Sequence, residues 1–148
     1  MVWETNSAAE TFELGKRLGK LAKAGDVFTL NGNLGVGKTV FAQGFADGLG
    51  ITDVVCSPTF TIVQVYEEGR LPLYHFDVYR VEEPEEMYAI GYEEYFFGNG
   101  VCLVEWSELI EELIPEEHVR IQIEKEPENG FDYRRITVTG DDRLEKTI

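Results

Sequence analysis

Residues 32–39 read GNLGVGKT, and no other stretch of the chain limits its possible folds so sharply. Gly32, four intervening residues and then Gly37-Lys38-Thr39 form the complete spacing of a phosphate-binding loop. Such a loop works only between a β-strand and an α-helix. Its glycines let backbone N–H groups curl round a β-phosphate, its lysine reaches the β- and γ-oxygens, and its threonine hydroxyl ligates magnesium. The following helix adds the positive end of its dipole. The flanks supply this setting: DVFTLNG is a short apolar strand, and KTVFAQGFADGLG reads as a helix closed by Gly50. A plain glycine turn before a helix would need neither Lys38 nor Thr39. Asn33, Leu34, Gly35, Val36 and Gly37, with Lys38, Thr39 and Val40 at the helix start, are the expected phosphate cradle.

The rest of the chain builds an α/β domain round that loop. Ser7-Ala-Ala-Glu10 is a capping box, and Phe12, Leu14, Leu18, Leu21 and Ala22 carry an apolar helix face up to a stop at Gly25. TIVQVYEE and LPLYHFDVY form a hairpin about Gly69-Arg70, and EPEEMYAIGYEEYFF is helical in its first part. VCLVEW lacks alternation, as a strand buried on both faces of a parallel sheet should. SELIEELI is a short helix capped by Ser107, and HVRIQIEKE and FDYRRITVTG alternate into a second hairpin around Glu128-Asn129-Gly130. No repeat or linker interrupts residues 1–148, which read as one domain with a weakly patterned tail after about residue 140. The expected class is α/β, with a mainly parallel central sheet, flanking helices and added antiparallel hairpins.

Charge excludes one class of function. Twenty-eight acidic against thirteen basic side chains give a net charge of −15, with no basic stripe to neutralise nucleic-acid phosphates. The chain therefore does not grip RNA or DNA alone. Its acidic runs, EEPEE, EELIPEE and EKEPE, read as solvated faces. No apolar run approaches the ~20 residues of a membrane helix, and MVWETNSAAE carries no secretion signal. Cys56 and Cys102 match no disulfide or metal spacing and read as buried thiols in a reducing compartment.

A phosphate loop needs a second acid for the magnesium, and two compete. Glu105 ends VCLVE, apolar on both faces as a strand beside the loop should be; it takes the metal, directly or through water. Asp77 lies in LYHFDVY, where Tyr74, Phe76 and Val78 alternate with His75, Asp77 and Tyr79 as in a half-exposed strand. Asp77 is better suited to orienting or deprotonating an attacking water. The Pro-stiffened loop CSPTFT can bring Thr59 or Thr61 to the γ-phosphate, as switch loops do. His75 reads as a half-exposed strand residue, and Trp106, next to Glu105, should report on the site.

GNLGVGKT, SPTFT, YHFDVYR, the helix with Glu86 followed by GYEEYF, and CLVEW occur in that order, from about residue 5 to about residue 139. Together they resemble the bacterial TsaE family, the small P-loop ATPases of tRNA threonylcarbamoyladenosine modification. The resemblance implies a P-loop NTPase-like, cytoplasmic ATPase that binds ATP and magnesium (Mg2+) and works with a TsaB–TsaD-type complex. Those partners transfer a threonylcarbamoyl group to the adenosine beside the anticodon, and they hold the tRNA. The resemblance also puts Lys38 and Thr39 on the phosphates and magnesium and Glu105 on the metal. It places Asp77 near the reacting end of the nucleotide and Trp106 beside it, with ATP driving a reset of the complex. Val40 stands where many members carry a second threonine, and adenine contacts fall to Ser7–Thr11 or Arg134.

Two rivals differ in class. A small-molecule or nucleoside kinase needs an acceptor pocket and usually an Arg-bearing lid, and no Arg-rich lid segment is present. A GTP switch needs Asn-Lys-x-Asp for guanine and a DxxG after the hairpin, and the sequence has neither.

Overall fold

The computed structural model describes residues 1–33, 35–58 and 60–140, so Leu34, Thr59 and the tail after residue 140 lie outside the described residues. The chain runs β1 (Val2–Thr5), α1 (Ala8–Leu21), β2 (Val27–Asn31), α2 (Lys38–Gly48), β3 (Val63–Tyr66) and β4 (Leu73–Asp77). It continues through α3 (Glu86–Ala89), α4 (Tyr92–Phe96), β5 (Val101–Glu105), a 3-10 segment (Ser107–Leu113), β6 (Val119–Lys125) and β7 (Arg134–Thr139).

The strands form one seven-stranded sheet in the order β1-β7-β6-β2-β5-β4-β3. Its centre is parallel: β2 pairs with β5 and β6, and β5 with β4. Antiparallel pairs finish both edges, β3 on β4 at one and β7 and β1 beyond β6 at the other. This is the expected α/β, P-loop NTPase-like architecture. All five residues of β2 and of β5 are buried, as their unbroken apolar runs require.

Register decides which side chains share a face. Leu103 of β5 pairs with Phe28 of β2 and His75 of β4, so Phe28, Leu30, His75, Asp77, Leu103 and Glu105 lie on one face. Helices α1 and α2 cover it, closing a core that includes Phe28, Leu30, Phe41, Phe45 and Leu103. The opposite face packs Phe76, Met87, Phe96, Cys102, Val104 and Ile110 under α3 and α4.

The two helices meet backbone to backbone. Gly15 and Gly19 of α1 face α2, and Gly44 and Gly48 of α2 face α1, each pair one helical turn apart. A Cβ on Gly44 would lie 2.1 Å from the Phe12 carbonyl oxygen, and one on Gly19 would lie 2.1 Å from that of Phe45. No side chain fits between them. Lys16 and Asp47 pair across the rim at 3.2 Å.

Four local expectations are corrected. Helix α1 does not run to Gly25; it ends at Leu21, and Ala22 turns into extended backbone before the Lys23–Asp26 turn. The Ser7 cap does form, accepting from the Glu10 N–H at 3.2 Å. The stretch after Glu86 is two one-turn helices broken at Gly91. Ser107 is not a cap, because Trp106 occupies that position and the Ser107 hydroxyl is drawn inward. Cys56 is exposed in the loop after α2, while Cys102 is buried, and burial pushes its thiol pKa up. Strand β1 carries too few residues to announce itself by pattern and exists as an edge partner of β7.

Candidate functional site

Strands β2, β5 and β4 all end at the same edge of the sheet, the end where parallel α/β sheets bind ligands. In register there stand Leu30 against Glu105 and Glu105 against Asp77. The glycine loop leaves β2 at this edge and enters α2. Gly35 (φ 76°) and Gly37 (φ 110°) take left-handed conformations that admit no ordinary side chain cheaply, although a Cβ at either would meet nothing within 4 Å. The requirement is therefore conformational, as in a loop that turns its N–H groups inward.

Lys38 is buried (6% exposed), its Nζ donating to the Gly32 carbonyl at 2.7 Å and lying 3.7 Å from the centre of the Trp106 ring. Burial lowers its pKa, and the carboxylates of Glu105, Asp77 and Glu108 oppose that shift. The buried Lys38 ammonium thus faces the two strand-end acids. Thr39 is exposed at the first turn of α2, with Val40 half-buried behind it.

Each acid is held. Glu105 Oε2 and His75 Nε2 are 2.6 Å apart, with both side chains buried. Asp77 accepts from the Tyr79 N–H at 3.0 Å and from the Ser57 hydroxyl. The reading of β4 as half-exposed is corrected here: His75 is 1% and Asp77 5% exposed. Alternation marks two faces but not their coverings, and α2 with its loop covers this one. Asn31 ties the ends of β2 and β5 together, its Oδ1 accepting from Ser107 N–H and Oγ at 3.1 and 3.0 Å.

Backbone strain gathers at the same place. Among the described residues only Ile62 (φ 69°) and Trp106 (φ 63°) are non-glycines with positive φ. Ile62 accepts from the Asp77 N–H at 2.8 Å, and Trp106 follows Glu105. A β-branched or bulky residue in this region is an outlier, and such strain concentrates at functional sites. In Trp106 it turns the ring onto Lys38, with the Tyr79 ring packed against it at a tilt of 51°, centroids 4.8 Å apart.

The other expected residues divide. Asn33 and Gly35 are exposed on the loop, whereas the Val36 side chain enters the core and its N–H donates to Asn33 at 3.3 Å. Arg134 braces the loop through Nε to the Val36 carbonyl at 2.7 Å. It also lines a cavity of about 220 Å³ with Ser7, Thr11, Gly35, Val40 and Asp132, beside the loop on the α1 side. Thr61 is exposed in the turn before β3, apart from the Ser57–Asp77 and His75–Glu105 hydrogen bonds. Leu34 and Thr59 lie outside the described residues. Sequence reasoning passed over Ser57, His75 and Asn31. Only the shared alternation of His75 with Asp77 pointed to one of them.

The comparisons with known proteins agree with one another. The family described as "Threonylcarbamoyl adenosine biosynthesis protein TsaE" matches residues 5–136. A Bacillus subtilis protein named "tRNA threonylcarbamoyladenosine biosynthesis protein TsaE" is 53% identical over 137 residues, covering 93% of this chain and 84% of its own. A Treponema pallidum protein of the same name is 44% identical over 119 residues, covering 80% and 87%. The crystal structure of Bacillus subtilis YdiB superposes with a TM-score of 0.82 at 47% identity, covering 99% of this chain and 89% of that one. The loop, the acid-bearing strand ends and these relatives lead to one assignment: the chain belongs to the TsaE family, whose role is in tRNA threonylcarbamoyladenosine biosynthesis.

Proposed function

We propose that this protein binds and hydrolyses ATP as an accessory to the tRNA modification machinery, acting on a TsaB–TsaD-type complex in the cytoplasm to sustain threonylcarbamoyl transfer. The observation that carries this reading is the set of Lys38, Glu105 and Asp77 at the adjoining ends of α2, β5 and β4.

The donor chemistry fits magnesium. Among the described residues no group of three or more His, Cys, Asp or Glu side chains is placed to hold a metal. Magnesium does not need one, because it takes one or two protein oxygens and completes its shell with phosphates and waters. The Thr39 hydroxyl and a Glu105 carboxylate oxygen would hold it. When bound, it would supply positive charge against the negative charge that develops on the phosphates.

The chain's own groups do the rest. The loop N–H groups and the N-terminus of α2 receive the phosphates, and Lys38 exchanges the Gly32 carbonyl for a phosphate oxygen. Asp77, fixed by Ser57 and the Tyr79 N–H, orients the attacking water. The cavity between Ser7, Thr11 and Arg134 receives the base. Arg80 stacks on the exposed Phe60 ring at 4.5 Å instead of joining the site acids, so hydrolysis by the chain alone is expected to be slow. A partner arginine supplied in trans is worth ~10³–10⁵ in rate in related enzymes. At a net charge of −15 the chain leaves the tRNA to its partners. Among the described residues no helix is long and apolar enough to cross a membrane.

Tryptophan emission tests this reading. Trp106 touches Lys38, whereas Trp3 lies on the far edge strand under Arg17. Emission from Trp3→Phe protein should change when ATP and magnesium are added, because Lys38 leaves the ring. Trp106→Phe protein should stay silent. A silent Trp3→Phe protein would count against nucleotide binding at this loop.

A further inference from the structure

His75 has no part in phosphate binding, yet it occupies a costly position. Its register partner Leu103 and its neighbour two residues back, Leu73, are fully buried and apolar, on the face covered by α2. A leucine at residue 75 would suit that apolar surrounding but would leave the buried Glu105 carboxylate without its partner, so the histidine is there for Glu105 and not for the core. The imidazole instead buries a ring nitrogen, Nδ1, that has no hydrogen-bond partner among the described residues. The fold gains nothing from that atom. The strong contact of the ring is Nε2 to Glu105 Oε2 at 2.6 Å, and against a carboxylate that bond requires the proton on Nε2.

We propose that His75 is a positioning residue for the metal-binding carboxylate. The Nε2–H engages Oε2, fixes the Glu105 rotamer at the strand end and leaves Oε1 for the magnesium shell. This inference rests on the nucleotide-site reading above and names the group that sets the metal ligand in place. A glutamate side chain has three rotatable bonds, and a free one must be ordered when the metal arrives. With His75 engaged, that ordering takes place during folding instead. A hydrogen bond from a neighbouring ring also orients a ligating carboxylate, and loss of such outer partners typically lowers metal affinity ~10–100-fold.

The test uses the whole chain and reads the coupling between metal and nucleotide, not turnover. ADP affinity is measured by calorimetry in excess magnesium and in EDTA, and the ratio of the two is the coupling. His75→Leu and His75→Asn remove the donor at the Nε2 position. His75→Gln keeps an amide N–H within reach of it. In His75→Leu and His75→Asn the coupling should fall ~10-fold or more, with affinity in EDTA unchanged within about twofold. His75→Gln should restore most of the coupling. If His75→Leu does not fold, the Asn and Gln pair decides alone. Coupling equal to wild type in His75→Asn overturns the proposal, and so does a loss in His75→Gln as large as in His75→Asn. A parallel loss of both affinities with a lowered melting temperature would mark a merely structural ring and overturn it too. Wild-type protein that binds ADP equally well with and without magnesium would instead bring down the site reading itself, and the inference with it.

Discussion

Lys38→Ala should reduce ATP hydrolysis by about 10²–10³-fold, the usual loss when one preorganised donor to developing charge is removed. ATP affinity should fall as well, by ~1.5–3 kcal/mol for a charge-assisted contact, or roughly 10–100-fold. Lys38 is the buried cation that faces Glu105, Asp77 and Glu108, so phosphate arriving without it meets those carboxylates with only the loop N–H groups and the α2 N-terminus to offset them. A melting curve keeps the result interpretable, because the variant also loses the bond to the Gly32 carbonyl and the Trp106 ring contact. A variant that melts near wild type and hydrolyses ATP at the wild-type rate would contradict the role given to this lysine.

The second large effect is on stability and starts from the crossing of α1 and α2. Gly44→Ala should destabilise the fold by ~2 kcal/mol. Overpacking costs ~1–3 kcal/mol, and the clash here is with a backbone oxygen, which cannot swing aside like a side-chain tip. Ala in place of Gly returns ~1 kcal/mol of helix propensity, which keeps the loss from being larger. The melting temperature should drop by ~2–4 °C per kcal/mol for a chain of this size. Gly19→Ala strikes the same gap from the other helix. Once one substitution has separated the helices the second has less to displace, so the double variant should lose less than the sum. Denaturant titration of the three variants checks this, and strict additivity or an unchanged midpoint would refute the shared gap. Because α2 begins with Lys38 and Thr39, the same shift should also weaken nucleotide binding.

These two experiments mark the limits of what the sequence disclosed. The loop, its strand and its helix were legible because the spacing from Gly32 to Thr39 has one mechanism behind it. Glu105 was legible because VCLVE has no polar face and so had to be central. Asp77 was legible as an acid, but its burial was not. Alternation in LYHFDVY separates two faces, whereas the cover over one of them is a tertiary fact supplied by α2. The same gap hid His75, whose value depends on β4 lying beside β5 with His75 two residues short of the Asp77–Glu105 pair. Ser57 was hidden by its neighbours: three hydroxyls stand in CSPTFT, and only the path of the loop selects the one that meets Asp77. Trp106 in place of Ser107 at the turn after β5 follows from a left-handed backbone that no residue preference for tryptophan foretells. The glycines of α1 and α2 look like helix-weakening residues in sequence and become the contact itself once the helices are paired.

The proposed ATPase is built from the strand-end acids and the loop, and its turnover belongs to a larger complex. The most direct test is magnesium-dependent ATP hydrolysis by the purified chain, alone and with TsaB–TsaD-type partners, with Glu105→Ala as control. The expected result is slow turnover alone, a marked rise with the partners, and loss of both in Glu105→Ala. A rate that ignores the partners, or one that survives Glu105→Ala, would overturn the proposed function.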